Sequence, residues 1–116
     1  GSLVEVDGGP VAPGTTSVVL AVEAVGDLVV HAQLRVDGAV TGGARNLPAL
    51  TAMAPFQGID VGIDRRSPVS WEVRERFGTF PWTGTLHRVT YRPGELAPDA
   101  GPRWLDVLRE AGTKYE

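Results

Sequence analysis

Two carboxylates come closest to a pattern that can do chemistry. Asp60 and Asp64 lie four residues apart in the segment FQGIDVGID, and glycines flank both of them. Side chains at that separation on a strand share a face. The pair can therefore hold a calcium ion together with loop carbonyl oxygens, or act as the two acids of a glycosidase. The alternative is that each carboxylate caps a turn or pairs with a nearby cation, either Arg65, Arg66 or Arg74.

The other reactive residue types do not form a catalytic set. His31 and His87 are the only histidines, and neither has a partner at metal-ligand spacing, so both are expected at the surface. The chain has no cysteine, which removes thiolate nucleophiles and cysteine-based zinc sites. No GxSxG motif surrounds Ser67 or Ser70, and no glycine pattern typical of nucleotide binding is present. We predict that this chain alone is not an enzyme, with no catalytic residue and no cofactor of its own.

Large aromatic side chains are concentrated in one segment that prolines and glycines interrupt. The loop from Asp64 to Trp82 carries Trp71 and Phe80 as well as Trp82 itself. Such rings can stack on sugars, or they can pack against their own sheet or a neighbouring domain. Together with Asp60 and Asp64, these three aromatic residues form the candidate interface or ligand loop.

Composition excludes several classes of partner. The 116 residues carry a net charge of −3, and the eleven Lys and Arg residues are scattered, so we expect no nucleic acid partner. Charged residues interrupt every apolar stretch well before the roughly 20 residues that a membrane span needs, so we expect no membrane partner either. The absence of cysteine leaves the redox compartment, and with it the cellular location, open.

Periodicity predicts a β-rich fold. Residues 17–25 read as a strand that is covered on both faces, and residues 28–36 alternate as a one-sided strand with Leu28, Val30, Ala32, Leu34 and Val36 towards the core. A turn at Gly26-Asp27 and a type I′ turn at Asp37-Gly38 then give a three-stranded antiparallel meander.

The rest of the chain predicts a loop over 41–55, a strand over 56–64, a long loop over 65–82 and a last strand over 83–91. A short helix near the C-terminus is expected to begin at Pro102 and to end at Gly112.

Two motifs within residues 58–91, and a turn before them, carry a resemblance to a known family. The segment resembles the C-terminal region of bacterial, actinobacterial-type arylsulfatases. The matching residues are Asp60, Val61, Gly62 and Asp64, the Ser-Pro-Val-Ser run at 67–70, the Pro-Trp-Thr-Gly-Thr run at 81–85 with Leu86, Val89 and Tyr91, and the Val-Asp-Gly turn at 36–38.

The resemblance implies a concanavalin-like antiparallel β-sandwich with a short C-terminal helix, appended to a catalytic domain that hydrolyses sulfate esters. The calcium and the formylglycine of that sulfatase family belong to the catalytic domain, and no catalytic residue carries over to this chain. The expected role is a non-catalytic accessory domain that docks on the catalytic domain and shapes the rim of its substrate pocket. The alternative is an independent carbohydrate-binding sandwich module.

The expected organisation has three parts. Residues 1–16 combine Gly1-Ser2, typical of an expression tag, with a turn-rich segment; residues 17–92 form the sandwich; residues 93–116 form a spacer and the helix. Since few residues precede 17–25, we expect an incomplete sandwich, either truncated or from a shortened relative. Exposed edge strands would follow, and a homodimer of the isolated piece, or the C-terminal tail, can cover them.

Overall fold

A computed structural model describes residues 4–49 and 59–115 of the chain. The elements are β1 (Val18–Gly26), β2 (Val29–Val36), β3 (Ala39–Pro48), α1 (Trp71–Phe77) and α2 (Ala100–Tyr115). Among the described residues, 6–49 and 94–115 form one compact unit, which we call the sheet unit, and 4–5 and 59–93 form a second, the loop unit. The three strands confirm the prediction of a small, mostly β fold. The second sheet that a sandwich needs stays a prediction.

The three strands form an antiparallel sheet in the order β1-β2-β3, which is the predicted meander. Leu34 of β2 lies between Leu20 of β1 and Gly42 of β3, and residues paired in this way share a face of the sheet. The period-2 pattern of β2 therefore places its apolar side chains mainly on one side, which we call the apolar face, whereas β1 has apolar side chains on both sides. The members of the apolar face are Val18, Leu20, Val22, Ala24, Val30, Ala32, Leu34, Val36, Ala44 and Leu47.

Both hairpins turn through two residues with positive φ, as type I′ turns require. The predicted turn at Asp37-Gly38 is confirmed, with φ values of 48° and 83°. The first turn lies one residue later than predicted, at Asp27 (φ 54°) and Leu28 (φ 57°). Leu28 is thus a turn residue, and its prediction as a core-facing strand residue is wrong. An L-residue with a branched side chain is strained in this region.

The predicted loop over 41–55 is wrong in its first part, because residues 41–48 continue β3. The Gly42-Gly43 pair lies within the strand and does not interrupt it. Glycine suits this position, because a Cβ on Gly43 would lie 3.0 Å from the carbonyl oxygen of Ala32. A Cβ on Gly42 would lie 2.9 Å from the carbonyl oxygen of Asp7. These glycines permit close backbone approach within and above the sheet. Residues 50–55 lie outside the described residues.

Two further strands of the prediction are not formed among the described residues. In the predicted strand 56–64, residues 56–58 lie outside the description and only Ile63 pairs, in a single bridge to Pro81. The predicted strand 83–91 has no regular structure, so that prediction is wrong. Both segments contain apolar residues typical of strands, but a strand also needs a neighbour to pair with.

Helix α1 corrects the predicted loop over 65–82. Ser70 caps the N-terminus, because its side chain accepts a hydrogen bond from the Val73 N–H at 3.4 Å. Gly78 ends the helix with φ 68°, and its N–H donates to the carbonyl oxygen of Arg74 at 2.9 Å. Pro68 and Gly78 therefore lie before and after a short helix, whereas the sequence analysis interpreted them as part of a continuous loop.

The C-terminal helix begins and ends outside its predicted limits. It begins at Ala100, two residues before Pro102, and it passes through Gly112, so the predicted C-cap at that glycine is wrong. Asp99 precedes the helix and accepts a hydrogen bond from the Asp27 N–H at 2.7 Å. Arg103 forms an ion pair with Asp27 and approaches Asp99 at 3.5 Å. No described helix is long and apolar enough to cross a membrane.

Side-chain burial is low throughout the described residues. None of their side chains is fully buried, and large apolar residues stay exposed in every element except β2. On the apolar face, residues 6–8 approach Leu34 and Gly42, which are half-buried. The outer strand β1 has no such cover. Leu20 remains 63% exposed, and Val19 on the opposite face is also exposed, so the prediction that this strand is covered on both faces is wrong. The fold therefore depends mainly on backbone pairing and on polar contacts at the turns.

The strain at Leu28 predicts a stabilising substitution. Leu28→Gly gives the first turn the same Asp-Gly sequence as the second, and we expect it to raise the free energy of unfolding by about 0.5–1 kcal/mol. Gly38→Leu, the matched change in the second turn, should lower it by a similar amount. Urea unfolding at one fixed protein concentration measures both. If Leu28→Gly destabilises the chain, the turn is not at 27–28.

The contact between Asp99 and the first hairpin predicts a pH dependence. The hydrogen bond from the Asp27 N–H, followed by one from the backbone N–H of Asp99 itself and then by the contact with Arg103, holds the pKa of Asp99 below its ordinary value of 3.8. A carboxylate with a lowered folded pKa stabilises the fold above its unfolded pKa, and this stabilisation is lost as pH falls through the folded pKa. The Asp27 amide resonance should therefore titrate below 3.8 in acid. In Asp99→Asn this titration should disappear.

Candidate functional site

The candidate loop is closed at its base by backbone hydrogen bonding. The bridge between Ile63 and Pro81 joins its two ends, and the Trp82 N–H donates to the carbonyl oxygen of Gly62 at 2.6 Å. The loop between them contains α1 and belongs entirely to the loop unit. A chain segment whose ends are tied in this way presents its side chains from a fixed base.

The two predicted carboxylates lie in separate local turns. The Asp60 carboxylate accepts from the Arg65 side chain at 2.6 Å and from the Arg65 backbone N–H at 3.1 Å. The side-chain bond and then the backbone bond hold the pKa of Asp60 below its ordinary range, and the pKa of Arg65 is raised in return. Asp64 instead accepts from the Val69 N–H at 2.9 Å. Asp60 thus pairs with a nearby arginine and Asp64 caps a turn, which are the two roles that the sequence analysis gave as the alternative to a shared site.

The described residues contain no group of three or more His, Asp or Glu side chains placed to hold a metal ion. Asp60 and Asp64 engage different partners, and the calcium site considered for them stays a prediction. For the acid pair of a hydrolase, one carboxyl would have to keep its proton near neutral pH. Asp60 does not fit that role, because Arg65 stabilises its charged form.

The predicted aromatic residues are all more than half exposed. Trp71 is the first residue of α1, and Phe80 follows the helix, where its ring meets the Phe77 ring edge-on at a centroid distance of 6.4 Å. The Arg76 guanidinium lies 5.2 Å from the centre of the Phe77 ring. The segment therefore holds a small aromatic and cationic cluster at the C-terminal end of α1, which residue types alone did not predict.

Trp82 lies directly over the backbone of Gly84. A Cβ on Gly84 would be 2.8 Å from three atoms of the indole ring, so only glycine leaves room for this position of the ring. The Pro-Trp-Thr-Gly-Thr run thus has a local physical meaning, because its glycine accommodates its tryptophan. The ring remains 53% exposed on its other side.

Two polar features outside the predicted set involve arginine. The Arg74 Nη1 atom is enclosed and has no hydrogen-bond partner among the described residues. On the sheet face opposite the apolar face, the Nδ1 atom of His31 accepts from the Asn46 N–H, and its Nε2 atom lies 3.1 Å from the Arg45 Nη2 atom. A neutral imidazole has only one acceptor nitrogen, so His31 cannot accept from both. The alternating pattern predicted the position of His31, but the bulge in β3 that brings Arg45 and Asn46 to it has no sequence signal.

The close approach of Trp82 to Gly84 predicts a specific spectral change. Gly84→Ala should displace the indole, because the ring is easier to move than the backbone, and one of three tryptophan Nε1–H resonances should shift. Gly94→Ala is the matched control, since a Cβ there meets no atom within 4 Å. Two-dimensional amide spectra compare the two variants. Equal spectra would show that the ring does not lie on Gly84.

Comparison with known proteins does not identify a family. No family model, no curated protein and no solved structure matches this chain. The functional conclusion therefore depends on the exposed surface of the loop unit and on the sequence motifs.

Proposed function

We propose that this chain is a non-catalytic accessory module of an arylsulfatase, which docks on the sulfatase catalytic domain through the loop unit. The observation that carries the proposal is the exposed apolar surface of residues 59–91. Eleven large apolar side chains are exposed there: Ile59, Val61, Val69, Trp71, Val73, Phe77, Phe80, Trp82, Leu86, Val89 and Tyr91. Four of the eleven are Trp or Phe side chains, and exposed apolar surfaces with such aromatic rings are typical of interfaces.

The local contacts of the loop favour a shaped docking surface. The Arg65–Asp60 pair, the Asp64 cap and the bridge at Ile63 fix the backbone, so that docking does not have to order it. Exposed aromatic rings on a preordered loop resemble the anchors that dominate interface energies. A loop of this kind, docked beside a pocket, limits which ester substrates can enter.

The motifs at 58–91, which resemble the C-terminal region of arylsulfatases, support a sulfatase catalytic domain as the partner. Calcium and formylglycine are expected in that partner. The residues of this chain do not fit either group. There is no cysteine to become formylglycine, and the described residues contain no group of three or more His, Asp or Glu side chains that could hold a metal ion. The sulfate-ester chemistry is accordingly assigned to the catalytic domain alone.

A carbohydrate-binding module is the second candidate. It is favoured by the exposure of Trp71 and Trp82, at 58% and 53%, because flat rings with a free face can stack on sugars. The accessory role explains more of the surface, since Val61, Leu86 and Val89 are exposed as well and offer no stacking face.

The docking surface predicts an asymmetric effect of two tryptophan substitutions. Trp82→Ser should weaken binding of the chain to the catalytic domain from its own reading frame at least about tenfold, or about 1.4 kcal/mol, because an anchoring ring is lost. Trp104→Ser is the control, since Trp104 is 61% exposed but belongs to the sheet unit. Titration calorimetry with the separately expressed domains measures both.

Three outcomes would contradict the accessory role. The reading frame could encode no sulfatase domain, the two domains could fail to bind, or both variants could bind like the unchanged chain. Binding of the isolated chain to a glycan array, abolished by Trp71→Ala or Trp82→Ala, would favour the carbohydrate-binding module instead.

A further inference from the structure

The free edge of β1 is the most regular unpaired surface of the sheet unit. β1 is nine residues long and forms one side of the sheet, with β2 on its other side only. Its register with β2 is continuous from Val18 to Ala24, and its single irregularity comes at the end, before Gly26. It contains no proline and no Lys or Arg, and Glu23 is its only charged residue.

The opposite edge of the sheet is different. β3 has two register shifts against β2, contains Arg45 and ends at Pro48. Bulges, positive charges and proline are the features that prevent edge strands from pairing with other chains. Their presence on β3 and absence on β1 single out β1 as the edge that accepts a further strand.

The hydrogen-bonding pattern fixes which groups of β1 are free. The Asp37 N–H donates to the carbonyl oxygen of Ser17 at 2.9 Å, so Ser17 points its backbone groups towards β2. These groups alternate along an antiparallel strand. The N–H and C=O groups of Val18, Leu20, Val22 and Ala24 therefore point away from β2, and none of them has a hydrogen-bond partner elsewhere among the described residues.

We propose that two copies of this chain associate through antiparallel pairing of β1 with β1, which gives a continuous six-stranded sheet. The two-fold axis passes at Val22, the midpoint of Val18–Gly26. Val22 then faces Val22 of the second copy, and Leu20 faces Ala24, so the outward groups of each copy meet outward groups of the other. A register centred there uses the whole strand.

Charge and side-chain pattern favour a second copy as the occupant. In this register Glu23 faces Ala21 of the second copy, so the only charged residue of the strand does not oppose itself. Facing residues share a side of the sheet, so the apolar faces of the two copies become continuous. Val18, Leu20 and Val22, which are 57–63% exposed in one copy, then form the centre of one apolar surface.

The pairing can be tested with the full 116-residue chain. Sedimentation equilibrium should give twice the chain mass of 12.3 kDa, with no larger species, because a two-fold pairing of one edge closes. Val22→Pro removes an outward N–H and should return the mass to 12.3 kDa while the circular dichroism of the sheet is kept. Val40→Pro, on the β3 edge, should leave the dimer intact.

A cysteine variant gives a second readout that does not depend on proline. The chain has no cysteine, so Val22→Cys introduces a single thiol, which the two-fold axis places beside its own copy. Val22→Cys should oxidise to a disulfide-linked dimer much faster than Val40→Cys. Equal oxidation rates, a monomeric unchanged chain, or a dimer that survives Val22→Pro would overturn the proposal.

The same experiments separate this inference from the docking of the loop unit. Trp82→Ser should leave the β1 dimer intact, because Trp82 belongs to the other unit. If Trp82→Ser dissociates the dimer and Val22→Pro does not, association runs through the loop unit and the β1 pairing is wrong.

Discussion

The backbone pairing of β2 with both of its neighbours is the interaction on which the rest of the sheet unit depends. Because no described side chain is fully buried, there is little apolar burial to hold the strands in register. The register is set instead by two tight turns and by the carboxylates beside them. Asp37 accepts from the backbone N–H groups of Thr16 and Ser17, and Asp99 accepts from that of Asp27. The pKa of Asp37 is lowered, first by the Thr16 N–H.

Sequence periodicity predicted the part of the fold in which local pattern and pairing agree. The apolar, β-branched run of β1, the alternation of side chains in β2 and the turn residues Asp37-Gly38 all favour the same hairpins. The third strand of the meander was predicted, but its length was missed, because the Gly42-Gly43 pair resembles a loop. These glycines lie within β3, where the carbonyl oxygens of Ala32 and Asp7 leave no room for a Cβ. The predicted strand 83–91 failed for the converse reason, since its pattern indicates a strand but cannot supply a neighbour.

The candidate site was predicted in composition but not in geometry. Residue types identified Asp60, Asp64 and the three aromatic residues, and the structure places all five in the loop unit. The sequence could not show that Asp60 accepts from Arg65 whereas Asp64 accepts from the Val69 N–H. The partner of each carboxylate depends on backbone turns of a few residues. Helix α1 was equally hidden, since a seven-residue helix with proline before it and glycine after it resembles a loop.

The two hairpin turns differ in a way that bears on the order of folding. Asp37-Gly38 adopts its turn without strain, so β2 and β3 can zip together from neighbouring residues. Asp27-Leu28 must place a leucine at positive φ, and its contacts with Asp99 and Arg103 come from residues 72 and 76 positions away. Closing such a long loop costs entropy before any contact repays it. We therefore expect the β2–β3 hairpin to form first, and β1 to join it once α2 supplies the contacts at the Asp27-Leu28 turn.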